Sequence, residues 1–379
     1  MRTRTYGLAL LAGALLASAA CSSPSSGPSH PKADTATRTI RPVQGCGAAS
    51  WTDPADRAPE RAPARCRPGS PAPQRLAEPR KLTIATGTLS AEYVAPLRVA
   101  LDKGEFDKEG LDVTLKVLPT PEALPLLAKG EVDGLWAAPE AAVMNGIRGG
   151  FVIRWVAGNF SPGPKSKSGL WVRLKDGETP AAVRMADRTL GTMIGKGSVI
   201  AYPMEQALEQ HGGGLDRIRY QQLGSADVLT ALRNGGVDSA WLLDPVWRRV
   251  DGEPGYAFLG GQPPGEPLGG MLYGPSLLND DVDAGVALLR AYIRTVNTYF
   301  ASDYKQNERY VTYLADLLKT DAAILRSTPS LRMDWEIRTG TTARLQAAYR
   351  AQGAAEGDSL PESRTVNRSL YEEAVGHHR

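Results

Sequence analysis

The chain has 379 residues, of which 42% are hydrophobic and 22% charged, and its formal net charge at pH 7 is +3. That length is enough for two or three domains with large cores. The near-balance of charge argues against nucleic acid as a partner, because nucleic-acid binding calls for a basic face. The four His and three Cys residues have no metal-ligand spacing, so neither a metal site nor a cofactor is predicted. The mean hydropathy is −0.27, and past residue 20 no apolar run approaches the roughly 20 residues that a membrane helix needs.

Residues 1–20 have the pattern of an export signal. Arg2 and Arg4 precede an apolar stretch that is too short to span a membrane, and small residues follow it. Because Cys21 comes directly after two alanines, the segment resembles a bacterial lipoprotein signal, in which Cys21 becomes the lipidated N-terminus. Ordinary secretion, with Cys21 incidental, is the alternative.

Residues 21–80 are rich in Pro, Ser, Ala and Arg, a composition that buries too little apolar area to offset the entropy of ordering the chain. We therefore predict a tether between the membrane and a folded body. Cys46 and Cys66 interrupt this segment. Outside the cytoplasm such a pair favours a local disulfide, and two free thiols are the alternative.

From Lys81 the sequence alternates strand and helix patterns. The order of these patterns predicts an α/β fold with mostly parallel sheets and helices on their faces. The segments 129–134 and 234–239 repeat one plan, in which Gly ends a helix and Val-Asp opens a buried strand, so we predict two similar lobes. In chain order, the predicted strands are 81–85, 111–117, 132–136, 151–157, 189–194, 218–223 and 237–243, and the predicted helices between them are 94–103, 121–129, 199–210 and 225–233.

The chain becomes helical after Asp280. Apolar residues recur every three or four positions over 282–300, and the pattern continues over 310–319 and 335–352. We expect these helices to pack onto a lobe rather than to form a third domain.

Four motifs resemble those of one family. Residues 94–113 resemble the first-lobe signature of the substrate-binding proteins of nitrate, sulfonate and taurine ABC importers, a family that also includes binders of the thiamine pyrimidine precursor. Residues 130–139, 190–198 and 231–245 resemble its later motifs, in the same order.

The resemblance implies a two-lobed, type II periplasmic-binding-protein-like fold with a hinge between the lobes. Lobe 1 would comprise 81–165 and 268–379, and lobe 2 would comprise 166–267. The implied function is that of a monomeric, extracytoplasmic, lipid-anchored receptor that captures a small solute and delivers it to a membrane permease.

Ligands of open α/β lobes lie beyond the carboxyl ends of the strands. Gly197 and Ser198 open a predicted helix and suit an oxyanion, with Lys196 adding charge, whereas simple capping by Ser198 is the alternative. Aromatic rings and carboxylates in the same loops favour instead an aromatic or nitrogen-bearing solute, against alternatives of core packing and solvated rim carboxylates. The candidate ligand-binding residues are Glu92, Tyr93, Trp136, Glu140, Asn159, Lys196, Gly197, Ser198, Ser225, Asp244 and Trp247.

Two other classes of function compete with the receptor. Enzymes on the same fold use a nucleophilic Cys, an iron motif or clustered His, and none of these follows Cys66 in the folded body. We therefore predict a protein that is not an enzyme. A surface lipoprotein that keeps the fold but binds no solute is the remaining alternative, and the sequence does not identify the solute.

Overall fold

A computed structural model describes residues 40–47, 51–163 and 165–377, with the side chain of Ser225 excepted. The predicted signal segment 1–20 and the predicted lipidation site Cys21 lie outside these residues. Within the described part of the chain, no helix combines the length and apolar character needed to cross a membrane.

From Arg80 to Tyr273 strands and helices largely alternate, as predicted. The predicted Leu111–Val117 strand has those same bounds in the structure, whereas most other elements are shorter than predicted. In chain order they are β1 (Arg80–Thr86), α1 (Ala95–Asp102), α2 (Glu105–Glu109), β2 (Leu111–Val117), α3 (Thr120–Lys129), β3 (Gly134–Ala137), α4 (Ala141–Arg148), β4 (Arg154–Gly158), β5 (Phe160–Ser161), β6 (Gly169–Arg173), β7 (Thr189–Thr192), α5 (Ala201–Glu209), β8 (Arg219–Gln222), α6 (Ser225–Asn234), β9 (Ser239–Leu242), β10 (Tyr256–Gly261) and β11 (Gly270–Tyr273).

The rest of the chain is mostly helical. The apolar stripe predicted from residue 282 forms a helix that is buried along nearly its whole length. Residues 335–340 are not helical, contrary to the prediction, because their backbone bonds the end of β4: Gly158 N–H donates to Trp335 O over 2.8 Å. These elements are α7 (Val282–Tyr299), α8 (Glu308–Leu318), α9 (Ala322–Arg326), β12 (Arg332–Met333), α10 (Thr341–Ala351) and α11 (Ser369–Val375).

Two five-stranded sheets organise the fold. Sheet A has the order β2-β1-β3-β11-β4, and sheet B has the order β10-β6-β9-β7-β8. Four strands of each sheet run in one direction, but β11 in sheet A and β6 in sheet B run antiparallel to both neighbours. The predicted α/β fold with parallel-containing sheets is therefore confirmed, and each sheet also contains one antiparallel strand that the sequence pattern does not predict.

We call the parts of the chain built on sheets A and B lobe A and lobe B. The chain leaves lobe A after β5, enters sheet B at β6, and returns through residues 262–269 to β11. The predicted domain borders at 166 and 267 fall in these two crossover segments. Short crossovers of this kind let one lobe rotate against the other, as hinges do.

The repeated Gly…Val-Asp plan has the same structural role in both lobes. Gly130 and Gly235 adopt positive φ angles of 74° and 76° at the ends of α3 and α6, where a residue with a Cβ atom would be strained. In each lobe the Asp that follows accepts a backbone N–H of a neighbouring strand, over 2.8 Å: Asp133 from Thr83 of β1, and Asp238 from Thr189 of β7.

Residues 51–80, which we call the arm, belong to the segment predicted as a tether, and they lie on the folded body. Arg61 is 7% exposed and places Nη2 2.6 Å from Asp334 Oδ2, which follows β12. The Cys66 N–H donates to Asn297 Oδ1 over 3.0 Å, and Cys66 forms a disulfide with Cys46. Buried polar contacts hold the arm, together with the packing of Ala64 and Cys66 into the core, and the composition of the arm does not indicate these distant partners.

Candidate functional site

The space between the two sheets holds two adjoining chambers. The first chamber, of about 260 Å³, receives residues from the strand ends of lobe A, from the start of α5 in lobe B and from the return crossover. Its lining residues are Gly87, Tyr93, Thr120, Trp136, Ala137, Ala138, Glu140, Asn159, Phe160, Val199, Ile200, Gln262, Leu268 and Gly269. A cavity at strand ends between lobes is where an α/β receptor binds its ligand.

The second chamber, of about 400 Å³, adjoins the first, and Phe160, Ile200 and Gln262 line both. These three side chains therefore stand between the chambers. The other residues that line the second chamber are Pro162, Gly163, Ser166, Ser168, Ile194, Trp241, Leu243, Asp244, Pro329 and Leu331.

Glu140 is the carboxylate of the first chamber. It stands at the N-cap of α4, but its side chain does not cap the helix, and its carboxylate makes no hydrogen bond or ion pair with any described residue. Burial raises the pKa of Glu140, because the charged carboxylate loses water. No Lys or Arg lines this chamber. The chamber therefore offers a poorly compensated acid to a ligand.

Neutral hydrogen-bonding groups accompany this carboxyl. Burial also raises the pKa of the Tyr93 phenol, so it stays protonated and can donate. Asn159 is 6% exposed, and its Oδ1 accepts the Phe160 N–H over 2.6 Å, which leaves the amide nitrogen directed elsewhere. Trp136 is fully buried and donates Nε1–H to Tyr93 O over 3.1 Å, so it fixes the loop that carries Tyr93.

Asp244 lines the second chamber and is well partnered. Its Oδ2 accepts the hydroxyls of Ser166 and Ser168 over 3.1 and 2.9 Å, and its Oδ1 accepts Trp247 Nε1–H over 2.7 Å. Trp247 is 3% exposed and stacks on Trp171 within the core of lobe B. Trp247 therefore positions Asp244 and lines neither chamber, contrary to its predicted ligand contact.

Glu92 lines neither chamber. Lys305 Nζ lies 2.7 Å from Glu92 Oε2, and the Tyr304 hydroxyl donates to Glu92 Oε1 over 2.5 Å. Burial raises the pKa of Glu92, and the Lys305 ammonium opposes that rise. Because Lys305 also donates to Thr328 Oγ1, Glu92 anchors the segment that reaches Pro329 at the second chamber.

The predicted oxyanion site lies at a contact between the lobes. Gly197 O accepts the Ala141 N–H over 2.9 Å, and the Gly197 N–H donates to Gln352 Oε1 over 2.9 Å. Lys196 is exposed, and Ser198 Oγ accepts the Ile200 N–H at 3.5 Å. Lys196, Gly197 and Ser198 line neither chamber. The Gly197 N–H, which was predicted to hold an anion, is already bonded to Gln352.

The structure thus brings four of the predicted residues to the first chamber, namely Tyr93, Trp136, Glu140 and Asn159, and one, Asp244, to the second. Ser225 begins α6, and its side chain is not described. Sequence reasoning missed Gln262, Leu268 and Gly269. They lie on the return crossover, which carries no local sequence motif. This segment is brought to the site because β11, which follows it, inserts antiparallel between β3 and β4.

Comparisons with known proteins agree with this architecture. Residues 91–254 match the model of the NMT1/THI5-like family. No curated protein matches the chain at a significant level.

Solved structures extend the likeness to most of the chain. The alkanesulfonate-binding protein SsuA of Xanthomonas axonopodis pv. citri, bound to MOPS, is 17% identical, with a TM-score of 0.52 over 76% of this chain and 99% of its own. The periplasmic aliphatic sulphonate-binding protein SsuA of Escherichia coli is 17% identical, with a TM-score of 0.54 over 77% and 93%. The ligand-binding component of an ABC-type import system of Staphylococcus aureus, with zinc bound, is 15% identical, with a TM-score of 0.53 over 78% and 99%. Residues 91–254 are therefore similar to the NMT1/THI5-like family, in a chain that has the fold of periplasmic binding proteins.

Proposed function

We propose that this protein is the extracytoplasmic solute-binding receptor of an ABC importer. The observation that carries the proposal is the first chamber, whose lining comes from both lobes and from the return crossover, so that closing the lobes would enclose a solute. The printed descriptions of the fold neighbours, which bind sulfonates or serve an ABC-type import system, support a binding role rather than catalysis.

Capture would follow from rotation about the crossovers. With the lobes apart, Glu140 and Tyr93 on lobe A are open to solvent, and Val199 and Ile200 on lobe B are withdrawn. Closure brings the Ala141 N–H onto Gly197 O at the rim and excludes water from the chamber. Hydrogen bonds to the solute then form in a medium where they are stronger than in water.

The lining favours a nitrogen-bearing solute that is neutral or protonated. An anion would lie beside Glu140 with no cationic side chain in the chamber. A protonated amine or a ring N–H, by contrast, would give the Glu140 carboxylate the partner that the described residues do not supply. The Phe160 ring and Leu268 provide apolar walls for a flat body.

A sulfonate is the second candidate solute, favoured by the sulfonate-binding neighbours. Its binding here would have to rely on neutral donors such as Tyr93 and Gln262, because the predicted helix-end site is occupied by Gln352.

Calorimetric titration of the protein with the thiamine pyrimidine precursor, thiamine, taurine, an alkanesulfonate and nitrate tests both candidates. We expect a nitrogenous compound to bind, and Glu140→Gln to weaken binding of its protonated form about tenfold or more. Glu131→Gln is the matched control, since Glu131 is exposed and lines neither chamber. Binding of the sulfonates alone would select the second candidate, and binding of none would favour the non-binding lipoprotein.

We also propose that the receptor is exported, cleaved before Cys21 and held at the membrane by a lipid on that residue, as a monomer beside its permease. The support is the sequence of residues 1–21. Cell fractionation tests the anchor: the protein should sediment with membranes, and Cys21→Ser should abolish lipid labelling and release it to the soluble extracytoplasmic fraction. Release without any change in labelling would contradict the proposal.

A further inference from the structure

A third cavity, separate from the first chamber, lies between the arm, the first crossover and the segments around Ser302 and Ser330. Its volume is about 380 Å³, and we call it the outer cavity. It meets the second chamber only through Gly163, Pro329 and Leu331, which line both. Its lining residues are Pro63, Arg65, Gly163, Lys165, Phe300, Ala301, Ser302, Asp303, Pro329, Ser330, Leu331 and Arg332.

Three cationic side chains line this cavity without an acidic partner. Arg65 donates Nη1–H to Ala64 O over 2.7 Å and Nη2–H to Met333 O over 2.6 Å. Arg332 likewise donates to the carbonyls of Pro59 and Arg61. Lys165 is exposed. Among the described residues, no carboxylate lies within ion-pair distance of any of these three cations. The backbone carbonyls that accept from the two arginines are neutral, so the positive charge of each guanidinium is not compensated.

The acids nearby are already engaged. Asp334 and Glu336 pair with Arg61 and Arg338, at 2.6 Å in each case. Asp303, the acid of the cavity itself, accepts the Ser330 hydroxyl and Gln306 Nε2–H. The region therefore holds more guanidinium groups than carboxylates to match them.

One donor in the cluster is unused. Arg65 Nε is buried and has no hydrogen-bond partner, although a buried N–H normally has one. Burial lowers the pKa of Arg65, with only Asp334 and Tyr292 acting in the opposite direction. An anion beside this guanidinium would offset part of the cost of its burial.

We propose that the outer cavity is a binding site for a small organic anion, distinct from the solute chamber. Arg65, Arg332 and Lys165 take its carboxylate, sulfonate or phosphate group, and Phe300, Pro329 and Leu331 pack against a short apolar portion. Because Lys165 lies on the crossover and the two arginines lie on the arm and on β12, the anion would bridge the crossover to lobe A. The proposal does not depend on the solute of the first chamber.

Calorimetric titration of the full chain with pentanesulfonate and with inorganic sulfate tests this site. We expect 1:1 binding of pentanesulfonate, tighter than that of sulfate because of the apolar wall, and weaker binding as ionic strength rises. Lys165→Gln should weaken it about three- to tenfold and Arg332→Gln about tenfold or more, since each removes a charge-assisted contact. Lys116→Gln, an equal loss of charge at an exposed site on β2, should leave the affinity unchanged.

Three outcomes would overturn the proposal: no binding of either anion, equal weakening by Lys116→Gln, or binding that neither variant at Lys165 nor at Arg332 changes. The last would place the sulfonate in the first chamber, which Lys165 does not line. Lys165 is exposed, so its variant should fold even where Arg332→Gln does not.

Discussion

Arg61 of the arm and Asp334 beyond β12 form an ion pair with 2.6 Å between Nη2 and Oδ2, and both side chains are at most 4% exposed. The same Nη2 donates to Gly265 O over 3.0 Å. Through Gly265 the arm is linked to the return crossover. Through Asp334 it is linked to the site, because the Asp334 N–H donates to the backbone carbonyl of Asn159.

Arg61→Met should lower the free energy of unfolding by about 3–5 kcal/mol. It leaves the buried Asp334 carboxylate, among the described residues, with Arg338 at 3.8 Å as its remaining ion-pair partner. Urea denaturation measures the loss. Arg57→Met removes an exposed arginine of the same arm and should change stability by less than about 0.5 kcal/mol. Equal effects of the two substitutions would show that the arm is not anchored through Arg61.

Lys305→Met should be similarly destabilising, because Glu92 would remain buried without its ammonium partner. Burial already raises the pKa of Glu92, and losing Lys305 raises it further. The folded variant then binds a proton that the unfolded chain releases, so its loss of stability should grow as pH rises above about 4.3. Unfolding in urea at pH 5 and 8 checks this, and Lys305→Met/Glu92→Gln should recover stability at pH 8. A loss independent of pH would contradict the assignment.

Glu140→Gln should stabilise the ligand-free protein at neutral pH. The pKa of Glu140 is raised by burial, so in the wild type stability falls as pH rises from the unfolded value of about 4.3 through the higher folded value. Glutamine does not titrate, so the difference between variant and wild type should rise over that window and then level off. Denaturation at pH 4, 5, 6 and 7 measures it, with Glu131→Gln as the control for the lost charge. A difference that does not change with pH would mean that Glu140 is well solvated.

Trp247→Phe should cost about 1.5–3 kcal/mol, because Asp244 loses the indole donor at 2.7 Å while most of the ring packing remains. Trp171→Phe is the matched control in the same stack. The Trp171 Nε1–H donates to the neutral backbone carbonyl of Lys167, so this substitution should lower the free energy of unfolding by only about 0.5–1.5 kcal/mol. Thermal and urea unfolding compare the two. An equal or smaller loss at Trp247 would contradict its role in positioning Asp244.

Local pattern was sufficient for the elements whose cause is local. The alternation of β2 and the Gly130 and Gly235 helix ends follow from residues within a few positions of each other, and the structure confirms these elements. β11 could not be predicted in this way. Its place between β3 and β4 is set by pairing with strands more than a hundred residues earlier.

The same limit applies to the site. Tyr93 and Glu140 follow strand ends, and the rule for α/β sheets places them at the first chamber. The same rule selected Glu92, whose partner Lys305 is 213 residues away in sequence and takes it out of the site. The local pattern predicts a free helix end at Gly197, but the Gly197 N–H donates to Gln352, which is 155 residues distant in sequence.

Gly197 has a φ of +81°, and a Cβ atom there would lie 2.9 Å from that of Ala141, so the two lobes meet at this point backbone to backbone. If the lobes close over a solute as proposed, the Ala141–Gly197 pair has to part before the lobes separate, so the residence time of the solute would be bounded by the lifetime of that pair. Substitutions inside the chamber would alter how much solute is held at equilibrium, whereas substitutions at this rim would alter how fast it is exchanged. A transporter that separates these two backbones would therefore act as a catalyst of unloading, with no need to contact the solute itself.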